Sequence, residues 1–371
     1  MRVMLVVTSL MGAGHLQRTL LIAQALKAAG ARPLVVSGGR EIGHLDAGGV
    51  ELAQLPPLWS DGIDYARLLT PEGEADEAWM AARAARLAAL FEEFAPAALV
   101  TELFPFGRRA LRREFLGLLA RAEGRAAAWA SVRDVPEPKR KPGRAEEAAE
   151  TLRRFYRGVL VHGDERLIPF GSVWPTPEDL APRFRHTGYV AAPPPPPEPS
   201  SEGEVLVAVG GGAVGRGLLE AAVGAAQGSA RRWRLRVGGA DALAEAARLR
   251  SLAGDAPVIV EPAASDYRAR LAAAAVSVSL LGYNTATDLL AAGTPAVIHP
   301  MAEGAEKEQT IRAEAFARLP GFHLLREATP KALREAVAKA EAAPGPPPGL
   351  ADLSGAAQAA RIILESGGFQ G

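Results

Sequence analysis

The chain has 371 residues, enough for two domains at roughly 150 residues each. Basic and acidic residues balance at 42 each, which argues against a dedicated nucleic-acid binder, because a neutral chain has no global field to gather a polyanion. The absence of cysteine removes disulfides, thiolate metal sites, iron–sulfur clusters and a cysteine nucleophile together.

Met1-Arg2 followed by the apolar run Val3–Thr8 predicts a buried first strand rather than a leader, since two glycines, His15 and Arg18 follow where an apolar segment would continue. No apolar stretch reaches the roughly 18 residues of a spanning helix, and the expected setting is cytoplasmic. Leu16–Ala29 carries apolar residues at helical spacing, and Gly30 suits its C-terminal end. Further strands are expected at Pro33–Ser37, Ala97–Thr101, Ala126–Ser131 and Val159–His162. Ala191–Ser201 holds five consecutive prolines, Pro193–Pro197, and reads as a semi-rigid spacer. Beyond it, strands are expected at Val205–Val209, Trp233–Val237, Val258–Val260, Val276–Leu280 and Ala296–His299, with helical segments between them. A Pro/Gly-rich stretch at Ala342–Gly349 precedes a last helix, Leu350–Ser366.

Short apolar strands alternating with helices imply parallel sheets covered on both faces. The expected class is α/β, with two doubly wound Rossmann-like parallel-sheet domains and an interdomain cleft. The expected division is 1–190, a linker 191–202, 203–349, and a tail 350–371 that crosses back to the first domain. Ligands in such sheets lie beyond the carboxyl ends of the strands.

Three glycine turns fall at such ends. Gly12, Ala13 and Gly14 precede His15 but lack the sixth-position glycine of a dinucleotide fingerprint, where Gln17 stands. His15 falls at a helix start, where the positive helix end favours a neutral imidazole able to accept a proton. Gly210, Gly211, Gly212 and Gly215 match the glycine spacing of a P-loop, but Arg216 and Gly217 replace its Lys and Ser/Thr, so an NTPase is not expected. Bare amides before a helix still cradle phosphate oxygens. At Gly282, Tyr283, Asn284 and Thr285 a strand ends and a helix begins, with Asn284 or Thr285 as the expected cap. Asp288 lies one turn in, where a carboxylate can accept from a sugar diol.

The run G-Y-N-T-A-T-D-L-L-A-A-G-T-P-A-V, followed by Glu308 and Gln309, resembles the donor site of GT-B nucleotide-sugar glycosyltransferases. It is most similar to the branch of the peptidoglycan lipid-intermediate N-acetylglucosaminyltransferase. The middle of the chain is similar to a group of predicted bacterial glycosyltransferases. The resemblance implies a GT-B fold, Asp288 on the nucleotide ribose, Gly282–Thr285 near the diphosphate, and Glu308 and Gln309 on the donor sugar. It implies a nucleoside-diphosphate sugar as substrate, UDP-sugar favoured, and no cofactor. Two departures stand out: the family often has Glu at Asp288, and it commonly has a basic residue where this chain has Leu280-Leu281. Arg216 is the expected replacement.

Inverting transfer needs a base, a stabilised leaving group and exclusion of water. His15 is the expected base, and Glu102, at the end of its strand, the group that orients it. No Asp-x-Asp or His-x-x-x-His motif suggests a metal. Residues 101–157 hold 14 Lys/Arg against 8 Asp/Glu, including Arg108, Arg109, Arg112, Arg113 and the run Lys139–Lys141. This excess is read as a solvated face or as contact with an anionic acceptor or peripheral lipid headgroups. Arg133, His162 and Asp164 follow strands and are also expected on the acceptor side. His44, His186 and His323 are expected to be structural. A nucleotide-sugar hydrolase or epimerase of the same fold, and a non-catalytic nucleotide-sugar binder, stay open as alternatives.

Overall fold

The computed structural model describes residues 1–43, 45–60, 67–136, 143–201, 203–209, 215–239, 241–300 and 307–366. The chain forms two compact units, one of residues 1–191 with the stretch from Asp352, the other Ala192–Ala351. In the first unit run β1 (Arg2–Val7), α1 (Gly14–Ala28), β2 (Arg32–Ser37), β3 (Glu51–Gln54), β4 (Leu69–Thr70), β5 (Gly73–Glu74) and α2 (Glu77–Phe94). They are followed by β6 (Ala98–Glu102), α3 (Arg112–Ala122), β7 (Ala127–Arg133), α4 (Arg144–Phe155), β8 (Gly158–His162), α5 (Phe170–Val173) and β9 (Phe184–His186). The second unit begins with β10 (Val205–Val209), α6 (Arg216–Ala226), β11 (Trp233–Val237), α7 (Ala242–Ala253), β12 (Val258–Pro262) and α8 (Tyr267–Ala273). It ends with β13 (Val276–Leu280), α9 (Tyr283–Ala292), β14 (Ala296–His299), α10 (Glu308–Phe316), β15 (Phe322–Leu324) and α11 (Pro330–Glu341). The last helix, α12 (Gly355–Glu365), belongs to the first unit.

The first sheet has the order β3-β2-β1-β6-β7-β8-β9 and the second β12-β11-β10-β13-β14-β15, all parallel. Successive residues of β1 point to opposite faces. Met4 and Val6 join Leu87, Phe91, Phe115 and Leu152 on one side. Val3, Leu5 and Val7 join Leu20, Ile22, Ala359 and Ile363 on the other. Helices α2, α3 and α4 thus cover one face and α1 with α12 the other, as the alternating pattern implied. In the second unit α6, α7 and α11 pack on the face carrying Val207, Leu235 and Val278.

Strand order reverses between β1 and β6 in one sheet and between β10 and β13 in the other. At these switch points adjacent connections leave the carboxyl edge in opposite directions and open a crevice. Helix α1 starts where Leu16 N donates to Ser9 Oγ at 3.2 Å, and Gly30 follows its end at φ 83°.

The proline stretch is tied down along the second unit. Arg268 Nη2 donates to Ala192 O at 2.6 Å and Pro193 O at 2.9 Å, and Glu198 N donates to Ala269 O at 2.9 Å. Among the described residues no helix is long and apolar enough to cross a membrane.

Helix α12 is held by Trp129 Nε1 donating to Ser366 Oγ at 3.0 Å and by the fully buried Ile363. Replacing Ile363 with Ala should cost about 2–4 kcal/mol, by lost burial and a residual cavity. Urea unfolding checks this; a loss below about 0.5 kcal/mol would show that α12 is not part of the first core.

Candidate functional site

The switch point of the first sheet brings His15, in the first turn of α1, against Glu102, the last residue of β6. His15 Nδ1 lies 2.9 Å from Glu102 Oε1, with 12% and 3% of the two side chains exposed. Arg18, one turn along α1 and buried, donates to the same oxygen. Ser131 Oγ, on neighbouring β7, donates to Glu102 Oε2 at 2.5 Å. His162 Nε2 lies 2.9 Å from Ser131 Oγ, and His162 Nδ1 lies 2.9 Å from Thr187 Oγ1. A buried polar chain therefore runs from His15 through Glu102 and Ser131 to His162 and Thr187.

Its protons follow from the charges. Burial pushes the Glu102 carboxyl up, but the Arg18 guanidinium and the His15 hydrogen bond outweigh it and hold the group well below the usual carboxylate range. Glu102 is thus ionised and can only accept. Arg18 Nη2 also lies 3.1 Å from His15 Nδ1, but the Glu102 oxygen is closer at 2.9 Å and a bare Nδ1 would face its lone pair, so Nδ1 carries the hydrogen and Nε2 the free lone pair. Ser131 gives its one hydrogen to Glu102, so His162 Nε2–H donates to Ser131. Burial, then the Arg108 and Arg18 charges, depress His15 to about 3 against the support of Glu102. Burial and Arg18 bring His162 to about 3 as well. Both rings are neutral at physiological pH. Breaking the buried Arg18–Glu102 pair on one side would cost about 3–5 kcal/mol.

The other acceptor-side residues separate. Gly12 takes φ 58°, and Ala13 precedes the helix at Gly14. Arg108 also adopts a left-handed conformation, at φ 61°, and its Nε donates to Thr8 O at 2.7 Å, fixing the loop after β6 against the loop after β1. A bulky residue holds that conformation only where its surroundings impose it. Arg109 is exposed and pairs with Glu147 at 2.5 Å. Arg133 ends β7 half-buried and donates to Val135 O at 3.1 Å. Two expectations need correction. His162 is fully buried, so it lines no acceptor surface. Asp164 is buried and accepts from Arg166 and from Asp352 N at 3.0 Å, so it anchors the returning chain. His186 and His323 lie on strands, and His44 and Lys139–Lys141 fall outside the described residues.

In the second unit β10 and β13 are neighbours at the switch point of the sheet. Gly210, Gly211 and Gly212 lie outside the described residues. Gly215 follows them at φ 113°, and a Cβ there would come within 2.7 Å of the Val209 side chain, so glycine is required. Arg216, the first residue of α6, is 63% exposed and lies 3.6 Å from Glu245. Helix α9 starts at Tyr283 after Gly282, with no side-chain cap. Asn284 and Thr285 lie inside the first turn, so neither is the cap the sequence suggested.

Asp288 Oδ1 accepts from Arg268 Nε at 2.7 Å. Burial pushes the Asp288 carboxyl up and Arg268 opposes it. Glu308 is buried and accepts from Arg312 Nη2 at 2.8 Å, while Arg312 Nη1 donates to Leu281 O at 3.0 Å. Arg312 thereby joins α10 to the turn that starts α9. Gln309 is half-buried beside Glu308.

No protein-family model and no curated sequence matches the chain. Solved structures do match it. Acinetobacter baumannii MurG superposes with TM-score 0.59 at 15% identity, over 98% of this chain and 99% of that one. The calicheamicin glycosyltransferase CalG4 gives 0.58 at 19%, over 99% and 95%. The spinosyn rhamnosyltransferase SpnG complexed with thymidine diphosphate gives 0.56 at 17%, over 98% and 96%. The chain has the GT-B fold.

Within this GT-B chain, Arg18, Ser131, Arg268 and Arg312 were not singled out from the sequence. Arg18 had one legible signal, its three-residue spacing from His15 on a helix. Ser131 stands as a lone hydroxyl in an apolar strand.

The depressed rings set a pH dependence. Unfolded imidazoles bind a proton near pH 6.5, and the folded ones resist until about 3. The unfolded chain therefore holds more protons in that window, and stability falls as pH drops from about 6.5 toward 3. Imidazole carbon shifts in an NMR titration should show both rings neutral at pH 5; protonation of either above pH 6 would refute the assignment.

Proposed function

We propose that the protein is a glycosyltransferase that moves a sugar from a nucleoside-diphosphate donor to a hydroxyl acceptor with inversion. The observation that carries this reading is the imidazole of His15, bound through Nδ1 to ionised Glu102 with Nε2 free, at the carboxyl edge of the first sheet. The likeness of the whole chain to GT-B glycosyltransferases supports it. The acceptor hydroxyl gives its proton to Nε2 as its oxygen bonds the anomeric carbon. The bond from that carbon to the diphosphate breaks, and the nucleoside diphosphate leaves with the electron pair. Glu102 fixes the ring and stabilises the imidazolium that forms.

The donor belongs with the second unit. Asp288 takes the ribose diol, with Arg268 setting its orientation. The amides of Gly215 and of Gly282–Thr285, and the Arg216 guanidinium, take the diphosphate, because helix starts offer unbonded N–H groups and positive potential. Glu308 and Gln309 read sugar hydroxyls. Charge on the leaving group is met without a metal ion. A pyrimidine donor is favoured, UDP-sugar first; SpnG supports a diphosphate site through its thymidine diphosphate.

Thermal-shift assays with UDP-, TDP-, GDP- and CDP-sugars test donor binding, since a ligand bound to the folded state raises the melting temperature. Replacing His15 with Ala should lower turnover about 10²–10⁴-fold and leave donor affinity unchanged. Asp288→Asn should weaken donor binding about tenfold. Turnover should survive a chelator. Nucleotide release at the full rate without acceptor would replace transfer by hydrolysis.

A further inference from the structure

A cavity of about 430 Å3 opens in the first unit between the loop after β6, the start of α4 and Trp174. Its walls are of two kinds. Phe104, Phe106 and Trp174 supply aromatic surface, with Phe106 and Trp174 edge to face at 5.2 Å between centroids. Arg108, Arg109, Arg112 and Arg144 bring four guanidinium groups, and among the described lining residues Glu147 alone is a carboxylate. Glu147 is taken by Arg109.

Four guanidinium groups against one carboxylate leave the wall with an excess of positive charge, whose natural complement is an anion. The flat guanidinium fork suits a carboxylate or a phosphate. The volume falls in the range of about 300–1,000 Å3 that small molecules fill. Leu10 of the wall belongs to the loop that leads into His15, and Arg108 is shared between wall and site.

We propose that this cavity seats an acceptor carrying a carboxylate or phosphate on a flat apolar body. The word acceptor rests on the transfer reading above; the ligand chemistry does not. Arg108 is also the nearest cause, after burial, of the low basicity of His15. An anion seated beside it offsets that charge and raises the proton affinity of the ring when acceptor is present. The base is then strongest with its substrate in place.

The test is isothermal titration of the intact protein with 2-naphthyl phosphate, 2-naphthoate, 2-naphthol and inorganic phosphate. The two naphthyl anions should bind at least about tenfold more tightly than naphthol and than inorganic phosphate, as charge-assisted pairing and aromatic contact both require. Arg144→Gln and Arg112→Gln should each erase most of the advantage over naphthol. Naphthol binding as tightly as its phosphate, or inorganic phosphate matching naphthyl phosphate, would overturn the proposal. So would variants that retain full affinity for the anions. Circular-dichroism melting checks that each variant is folded; if Arg144→Gln is not, Arg112→Gln on the rim decides. Titration with the donor nucleotide runs in parallel. Anion binding lost with nucleotide binding intact defeats the cavity alone. Anion binding intact with no nucleotide binding defeats the transfer reading alone.

Discussion

An ionised carboxylate kept out of water organises the first unit. Glu102 is buried at the end of a central strand, where an isolated charge would cost many kcal/mol. It survives because three donors from two elements converge on it: Arg18 and His15 from α1, and Ser131 from β7. Each donor is thereby fixed. The orientation of the His15 ring and its tautomer follow from that charge, while burial and Arg18 keep His162 neutral against it. The switch point supplies the position, since β1 and β6 are neighbours whose chains leave the sheet in opposite directions.

The second unit shows the same device with fewer partners. Among the described residues Asp288 pairs with one cation, Arg268, and burial pushes its carboxyl up where Glu102 is pulled down. A carboxylate with only one charged donor has acceptor capacity to spare. That suits a group proposed to take a ribose, whereas Glu102 already takes three donors and suits a group that holds another residue still. The difference between the two acids is one of coordination, not of residue type.

Much of the fold was legible because parallel strands covered on both faces read as short apolar runs. Val205–Val209, Trp233–Val237, Val276–Leu280 and Ala296–His299 have the bounds expected. In the two parallel sheets the strands that escaped are β3, β9 and β15, short edge strands with sequences ELAQ, FRH and FHL, and the two-residue strands β4 and β5 escaped as well. The three edge strands lack a neighbour on one side and carry no such apolar run, unlike the edge strand β12 with its Val258–Val260. The pairing of His15 with Glu102 was legible because Glu102 ends one apolar strand and His15 opens the helix that follows another. Ser131 and His162 were not, because their partners are lateral neighbours across the sheet, set by the register of β6, β7 and β8. The Arg268 arm on Asp288 comes from a different helix and leaves no periodic trace.

Helix α12 has a consequence for biogenesis. It completes the α1 side of the first unit, yet every residue of the second unit precedes it in the chain. The ribosome must therefore finish the whole second unit before Leu20, Ile22 and their neighbours gain their last cover. Until then the nascent first unit presents an incomplete apolar surface, while the second can close from contiguous sequence. The order of synthesis and the order of domain completion are thus reversed.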